Sequence, residues 1–220
     1  MENERRIDRT TSMGMDEHRL SDILHASQIK ATDIYETPPQ IIWIDNSTIA
    51  TLGNFSASTG KAKSKKTFNV SALVAASLAG KQVLNYRAHL PEGKQRILYV
   101  DTEQSRFHCR SVLERILRLA GLPTTTDPEN LDFFCLREYS PSVRIEVIDY
   151  ALRQQKGYGL VIIDGIRDLM LDINNAGESV EVINRMMEWS SRYDLHIHCV
   201  LHLNKGDNNC LLYTSDAADD

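Results

Sequence analysis

A lysine-rich segment that begins with a glycine has the residue types and the spacing to bind phosphate. It reads GKAKSKKTF over residues 60–68, whereas the phosphate-binding loop pattern is Gly-x-x-x-x-Gly-Lys followed by Ser or Thr. Gly60 matches the first glycine and Lys66-Thr67 match the last pair, but Lys65 stands where the second glycine is expected. In such a loop the backbone amides and a helix N-terminus hold the phosphates, the lysine contacts the terminal phosphates, and the hydroxyl binds Mg²⁺.

We therefore predict that the segment binds ATP together with Mg²⁺, with Lys66 acting in catalysis and Thr67 on the metal. The residues expected around the nucleotide are Gly60, Lys61, Ala62, Lys63, Ser64, Lys65, Lys66, Thr67 and Phe68. The other register, with Gly60-Lys61 as the Gly-Lys pair, places Ala62 at the metal position and is rejected. Lys65 must adopt a negative φ, or the left-handed conformation at a modest cost.

Two acidic residues follow apolar strands and complete the expected chemistry. Asp164 closes LVIID, a pattern in which the carboxylate holds the Mg²⁺ shell, usually through water. Glu103 lies two residues past the strand RILYVD, where a carboxylate can act as general base on the attacking water. Asp101 is the competing base, and we interpret it as structural.

Three histidines, His196, His198 and His202, share one face of the last strand by parity. Their His-x-His spacing makes a metal site conceivable. A polar side chain at the carboxyl end of this strand could instead contact the γ-phosphate. His202 is the first candidate for that catalytic role, and Asn204 is the second.

The elements that position these residues alternate between strand and helix, which predicts an α/β fold with a mainly parallel sheet covered on both faces. Ligands bind such sheets at the carboxyl ends of the strands. The predicted strands are 54–59, 96–101, 131–136, 160–164 and 197–203. The predicted helices are 67–79, 106–120, 140–155 and 179–193, with Phe107, Leu113, Ile116, Leu117 and Ala120 on one face of the second. Residues 60–66 form the loop.

Composition excludes several classes of protein. The 220 residues are 42% hydrophobic and 25% charged, which is typical of a globular domain. No apolar run approaches the roughly 18–20 residues of a membrane helix. The four cysteines lack CxxC spacing, which favours a reducing cytoplasm over a disulfide scaffold or zinc ribbon. The net charge of −5 requires that any DNA contact comes from a local patch.

The chain divides into three parts by pattern. Residues 1–40 are expected to form an arm with a helix over 17–32, in which Leu20, Ile23 and Leu24 form an apolar stripe. Residues 41–209 are expected to form the ATPase core. The last eleven residues, 210–220, read CLLYTSDAADD and resemble a translated sequencing adapter. We therefore expect a non-native tail and a core that is truncated at its C-terminus.

Taken together, the phosphate loop, YVDTEQS, LVIIDGIRDL and VLHLNKG resemble the RecA-like ATPases. The likeness is to AAA-family proteins typified by RepA-type replicative helicases of plasmids and mobile elements, and GKAKSKKT looks like a loop variant of Bacteroidetes-type mobile elements. The resemblance implies a RecA-like P-loop NTPase core, with Glu103 as the catalytic base and Asp164 on the metal. The His-x-x-Lys-Gly of that family falls on His202, Lys205 and Gly206.

The same resemblance implies single-stranded DNA as a partner, a homo-oligomeric ring such as a hexamer, and a primase as a further partner. The expected function is a DNA helicase or replication ATPase of a mobile element. The alternative is an ATP-dependent DNA-binding regulator or recombination accessory protein that does not translocate. A P-loop kinase of small molecules is a third class. It is disfavoured because no arginine-rich lid is evident and because Asp-x-Glu suits attack by water.

Overall fold

A computed structural model describes residues 16–61, 65–172 and 175–203 of the chain. The chain divides into two units, Met1–Thr37 and Pro38–Asp220. In the first unit, helix α1 (Glu17–Ser27) begins where the Asp16 carboxylate accepts a hydrogen bond from the backbone N–H of Arg19 at 2.8 Å. The helix is shorter than the predicted 17–32 because the backbone becomes extended at Gln28.

The second unit contains two sheets. Its elements in chain order are β1 (Gln40–Ile44), β2 (Ser47–Thr51), β3 (Phe55–Lys61), α2 (Lys66–Ala79), β4 (Tyr86–Ala88), β5 (Arg96–Asp101), α3 (Arg106–Ala120), β6 (Leu131–Cys135), α4 (Pro141–Gln154), β7 (Tyr158–Asp164), a 3₁₀ turn (Ile166–Leu169), α5 (Ala176–Tyr193) and β8 (His196–Leu203). The main sheet has five parallel strands in the order β3-β8-β7-β5-β6.

Helices cover both faces of the main sheet, as the sequence predicts. On one face, α2, α3 and the smaller sheet pack against alternate residues of the central strands, such as Tyr99 and Ile162. On the other face, α4, α5 and the 3₁₀ turn pack against the intervening residues, such as Val100 and Ile163. Every residue of β7 is buried, which explains why its sequence is a continuous apolar run.

Glycines end two of these helices in the left-handed conformation. Gly80 follows α2 with φ 59° and donates its N–H to the carbonyl of Ala76. Gly121 follows α3 with φ 77°. This backbone geometry closes a helix at little cost only for a residue without a Cβ, which is why both predicted helix ends are correct.

A three-stranded antiparallel sheet, in the order β2-β1-β4, is absent from the sequence-based prediction. Its strands are only 3–5 residues long, and short strands give a weak pattern. It nevertheless adds fully buried side chains, among them Ile41 and Ile42, to the core around α2.

Strand β3 also runs further than predicted. Gly60, expected in the loop, is paired with His202 of β8. In the described ranges, no helix is long and apolar enough to cross a membrane.

Candidate nucleotide site

The carboxyl ends of four parallel strands bring the predicted site residues to one edge of the sheet. Strand register places Gly60 opposite His202 on β3 and β8. Asp164 of β7 lies opposite Val200 of β8, and Asp101 of β5 lies opposite Asp164. The phosphate-loop glycine and both strand-end aspartates therefore lie along the same edge, where parallel α/β sheets bind ligands.

Lys65 replaces the expected loop glycine by adopting the conformation that glycine would favour. Its φ and ψ are 60° and 24°, in the left-handed region, and it precedes the first residue of α2. Its carbonyl accepts hydrogen bonds from the backbone N–H groups of Phe68 at 3.0 Å and Asn69 at 3.1 Å. The loop thus keeps a glycine-like turn into the helix, at a cost of about 1–2 kcal/mol for a residue with a Cβ.

Lys66, the first residue of α2, is a buried lysine whose ammonium group reaches the end of strand β3. The residue is 7% exposed, and its Nζ donates to the carbonyl of Gly60 at 2.6 Å. Burial lowers the pKa of Lys66, whereas the negative charges of Glu103 and Asp164 act in the opposite direction. The predicted lysine and the two predicted carboxylates are therefore close enough to interact electrostatically.

The other helix residues assigned to the nucleotide differ in exposure. Thr67 is half-buried in the first turn of α2, and its carbonyl accepts from the Ser71 hydroxyl at 2.6 Å. Phe68 is 40% exposed. Thr67 therefore lies directly after Lys66 in the first turn of α2, and its role on a metal stays a prediction.

Asp164 is buried at the end of β7, next to the polar groups of Tyr99 and Asp101. It is 2% exposed, and its Oδ2 accepts a hydrogen bond from the Tyr99 hydroxyl at 2.9 Å. Burial and then the nearby charge of Asp101 raise the pKa of Asp164 to about 6, although the Tyr99 hydrogen bond lowers it. Tyr99 is itself held by Phe133, whose ring stacks on it at a centroid distance of 4.3 Å.

Asp101, the alternative base, shapes the turn that carries Glu103. One carboxylate oxygen accepts from the backbone N–H groups of Glu103 at 3.0 Å and Gln104 at 2.7 Å, and the other accepts from the Gln104 side-chain amide at 2.9 Å. Asp101 is fully buried, and burial raises its pKa despite these bonds. A carboxylate with both oxygens occupied inside the protein suits a structural role better than contact with a water at the surface.

Glu103 lies at the exposed end of this turn, and Thr102 ties the turn to β7. The Thr102 hydroxyl lies 2.8 Å from the carbonyl of Gly165 and 3.0 Å from the Asp168 carboxylate. Gly165 has φ 104°, and a Cβ there would lie 2.3 Å from the Thr102 hydroxyl. The turn that carries Glu103 is thus fixed against the strand that carries Asp164.

His196 and His198 form a buried hydrogen-bonded chain with serines of the phosphate-loop strand. His196 Nδ1 donates to the carbonyl of Thr51 at 2.9 Å, so its Nε2 must accept from the Ser56 hydroxyl at 2.8 Å. Ser56 in turn accepts from His198 Nδ1 at 2.8 Å, and His198 Nε2 accepts from Ser58 at 2.9 Å. All four ring nitrogens are used, and the directions fit two neutral imidazoles.

These hydrogen bonds contradict the alternative that His196 and His198 bind a metal ion. Burial lowers the pKa of His196 to about 4 and that of His198 to about 3. Across the residues that the structure describes, no group of three or more His, Cys, Asp or Glu residues is arranged to hold a metal ion. The two rings instead connect β8 to β3 just below Gly60.

Several predicted site residues lie outside the described part of the chain: Ala62, Lys63 and Ser64 of the loop, and Asn204, Lys205 and Gly206 after β8. The side chains of Lys61 and His202 are also outside it, although their backbones end β3 and β8. The tail 210–220 is outside it as well.

Sequence reasoning missed Tyr99 and Thr102, which orient Asp164 and the turn before Glu103. A signal for Tyr99 existed, because it shares strand parity with Asp101 and is the one residue with a hydroxyl in RILYVD. No sequence signal identifies Thr102, since its partners Gly165 and Asp168 come from another strand end.

Comparison with models of protein families matches residues 20–208 to a family described as AAA domain. The match covers both the phosphate loop and the strand-end carboxylates. Comparison with curated proteins gives no match to the chain.

Proposed function

The chain belongs to the AAA domain family, which indicates an ATPase, and on that premise we propose that it hydrolyses ATP at the carboxyl edge of its main sheet. The observation that carries the proposal is the position of the Lys66 ammonium group at the end of a buried side chain. The ammonium bonds to Gly60 at 2.6 Å and interacts with the charges of Glu103 and Asp164. A lysine held between a phosphate loop and two carboxylates suits a nucleotide whose terminal phosphates must be bound and attacked by water.

The residues at this edge also fit Mg²⁺. Burial is the main cause of the raised pKa of Asp164, and the charges of Asp101 and Glu103 add to it, so negative charge is concentrated where a cation bound with phosphates would neutralise it. Thr67 and Asp164 are the residues that would hold the ion, because Mg²⁺ usually takes few protein ligands and keeps water and phosphate oxygens. When bound, Mg²⁺ neutralises phosphate charge and so assists attack on the phosphorus atom.

Each side chain then has a separate task. Lys66 supplies positive charge to the β- and γ-phosphates, with the loop residues 60–68 around them. Glu103 faces solvent and takes the proton of the attacking water, while Asp101 holds the turn beneath it through three hydrogen bonds. His202, whose backbone pairs with Gly60, is proposed to contact the γ-phosphate and report its loss.

The assignment of the loop lysine is tested by two variants measured side by side. We expect Lys66→Ala to abolish ATP hydrolysis, because it removes the ammonium bound to Gly60. We expect Lys61→Ala to keep much of the activity, because in this register Lys61 does not precede the metal-binding hydroxyl. Equal losses in the two variants would refute the register.

The finer proposal is a DNA helicase or replication ATPase of a mobile element that acts on single-stranded DNA. Its support is the resemblance of the four motifs to RepA-type helicases. The test is ATP turnover with and without single-stranded DNA, together with strand displacement on a forked duplex. Stimulated turnover with displacement supports a helicase, stimulation without displacement supports a non-translocating regulator, and the absence of stimulation rejects action on single-stranded DNA.

We also propose that the arm takes part in self-association. In α1, Leu20 is 49% exposed and Leu24 is 71% exposed, and isolated helices of this length are marginal in water. Light scattering with ATP, on chains with and without residues 1–37, tests this. Equal masses of the two assemblies would exclude the arm from subunit contacts.

A further inference from the structure

Two thiols converge on the turn that carries Glu103. Cys135, the last residue of β6, and Cys109, in the first turns of α3, both donate to the carbonyl oxygen of Gln104, with Sγ–O distances of 3.3 Å and 3.6 Å. The two thiols also interact with each other, because Cys135 contributes to the raised pKa of Cys109 after burial and Asp101. Because both sulfur atoms lie within hydrogen-bonding distance of the same oxygen, rotations of the two side chains can bring them together as a disulfide requires.

We infer that Cys109 and Cys135 are a redox modification site: a peroxide converts them to a disulfide that rearranges the turn 101–105 and slows ATP hydrolysis. The effect on hydrolysis rests on the proposed function, in which Glu103 is the base. Disulfides in a reducing compartment are typically transient and regulatory. This pair contacts Gln104, the residue directly after the proposed base Glu103.

The two thiols differ in solvent exposure, and this difference determines which of them is oxidised first. Cys135 is half-buried, whereas Cys109 is 4% exposed. Burial and the nearby charge of Asp101 also raise the pKa of the Cys109 thiol. A small oxidant therefore meets Cys135 first. The third described cysteine, Cys199, is buried on β8, where its thiol donates to the carbonyl of Ser56 at 3.4 Å, so it has a different partner.

The reaction proceeds in two balanced steps. The Cys135 thiol loses its proton, its sulfur attacks one oxygen of hydrogen peroxide, and the O–O bond breaks to give Cys135 sulfenic acid; the leaving hydroxide takes up the released proton and becomes water. The sulfur of Cys109 then attacks the sulfur of Cys135. The S–S bond forms as the S–O bond breaks, and the leaving hydroxide takes the Cys109 proton to give a second water. Peroxide accepts two electrons, and a dithiol reductant reverses the change.

The disulfide changes the turn because both thiol protons are lost. The Gln104 carbonyl then loses two donors, and the sulfur atoms move together to a bond length of about 2.05 Å. Gln104 also donates its backbone and side-chain N–H groups to Asp101, and it directly follows Glu103. A shift of Gln104 therefore moves Glu103, whereas Lys66 on α2 keeps its bond to Gly60 and can still bind nucleotide.

The test treats the full chain with hydrogen peroxide and digests it with trypsin. The expected product is a disulfide-linked pair of peptides, residues 107–110 and 119–137, which disappears on treatment with dithiothreitol. General-base catalysis contributes about 10²–10⁴-fold. We therefore expect fully linked protein to hydrolyse ATP at least about tenfold more slowly, partly linked protein to lose activity in proportion, and reduction to restore it. Amide hydrogen exchange over 101–105 should increase on oxidation.

Matched variants separate this pair from the other thiols. Cys199→Ser should keep the linked peptide and the loss of activity, whereas Cys135→Ser should lose both. Absence of the linked peptide from oxidised protein refutes the modification site. A linked peptide with unchanged hydrolysis and unchanged exchange over 101–105 refutes the coupling to the turn. If reduced protein does not hydrolyse ATP at all, the proposed function fails, and the peptide and the exchange data still decide the disulfide.

Discussion

Lowering the pH is expected to destabilise the fold through the buried pair His196 and His198. Burial lowers their pKa values to about 4 and about 3, whereas a histidine in the unfolded chain titrates near about 6.5. Below that value the unfolded state binds more protons than the native state. The stability present above the unfolded pKa is therefore lost as the pH falls towards the folded values.

The expected loss is a substantial fraction of the stability of a domain. Linkage between an unfolded pKa of about 6.5 and a folded value of about 4 gives a loss of about 2 kcal/mol per histidine between roughly pH 7.5 and pH 5. The free energy of unfolding of a typical domain is only about 5–15 kcal/mol. Both rings bond to Ser56, so their contributions are not expected to add simply.

The assay is urea unfolding followed by tryptophan fluorescence, since Trp189 is 1% exposed. In His198→Gln the new side chain carries no charge at any pH of the experiment. This variant should be less stable than the natural sequence near pH 7.5, because one hydrogen bond of the chain is lost. Between about pH 7.5 and pH 5 it should lose about 2 kcal/mol less than the natural sequence. His89→Gln is the matched control because His89 is exposed, and it should keep the full loss.

Another buried titratable group acts in the opposite direction. Burial raises the pKa of Asp164 to about 6, so its contribution to stability is present at low pH and is lost as the pH rises through that value. The unsubstituted chain, His198→Gln and His89→Gln all contain Asp164, so its contribution to the pH dependence cancels when their stabilities are compared. The reasoning is refuted if His198→Gln loses as much stability on acidification as the natural sequence.

Two backbone predictions follow from residues with positive φ. Lys65→Gly should raise the free energy of unfolding by about 1 kcal/mol, because it relieves a left-handed conformation while adding freedom to the unfolded chain. Lys65→Ala should give no gain in the same urea titration. Gly165→Ala should cost more than about 2 kcal/mol, since strain at φ 104° is joined by a Cβ 2.3 Å from the Thr102 hydroxyl. Gly53→Ala, at φ 76° with no atom within 4 Å, should cost less, and equal costs would exclude the clash.

The main sheet and its helices could be predicted from sequence because their signals are local. The bounds of β5 and α3 match the prediction, since an apolar run ending in Asp101 and a periodic helix ended by Gly121 need no tertiary information. The prediction for the buried face of α3 was partly wrong. Phe107 was predicted to lie on the apolar face but is 76% exposed, and Cys109 is buried instead. In the first turns of that helix the side chain packed inward is the thiol of Cys109 and not the ring of Phe107.

The polar contacts of the site could not be predicted, because they join residues distant in sequence. The hydroxyl of Tyr99 reaches Asp164 across 65 residues, and His198 reaches Ser58 across 140. Parity correctly placed the two histidines on one face, but their serine partners depend on the neighbouring strand. That strand order, with β8 between β3 and β7, is a property of the whole sheet.

The most direct test of the central claim is a paired measurement of ATP binding and phosphate release with Glu103→Gln. The amide has the shape of the carboxylate but cannot accept the proton of the attacking water. We predict that the variant binds ATP with Mg²⁺ about as tightly as the natural sequence, while phosphate release in a single turnover slows by about 10²–10⁴-fold. Phosphate release at the natural rate would contradict the account and would move the base role to another residue, of which Asp101 is the first to examine.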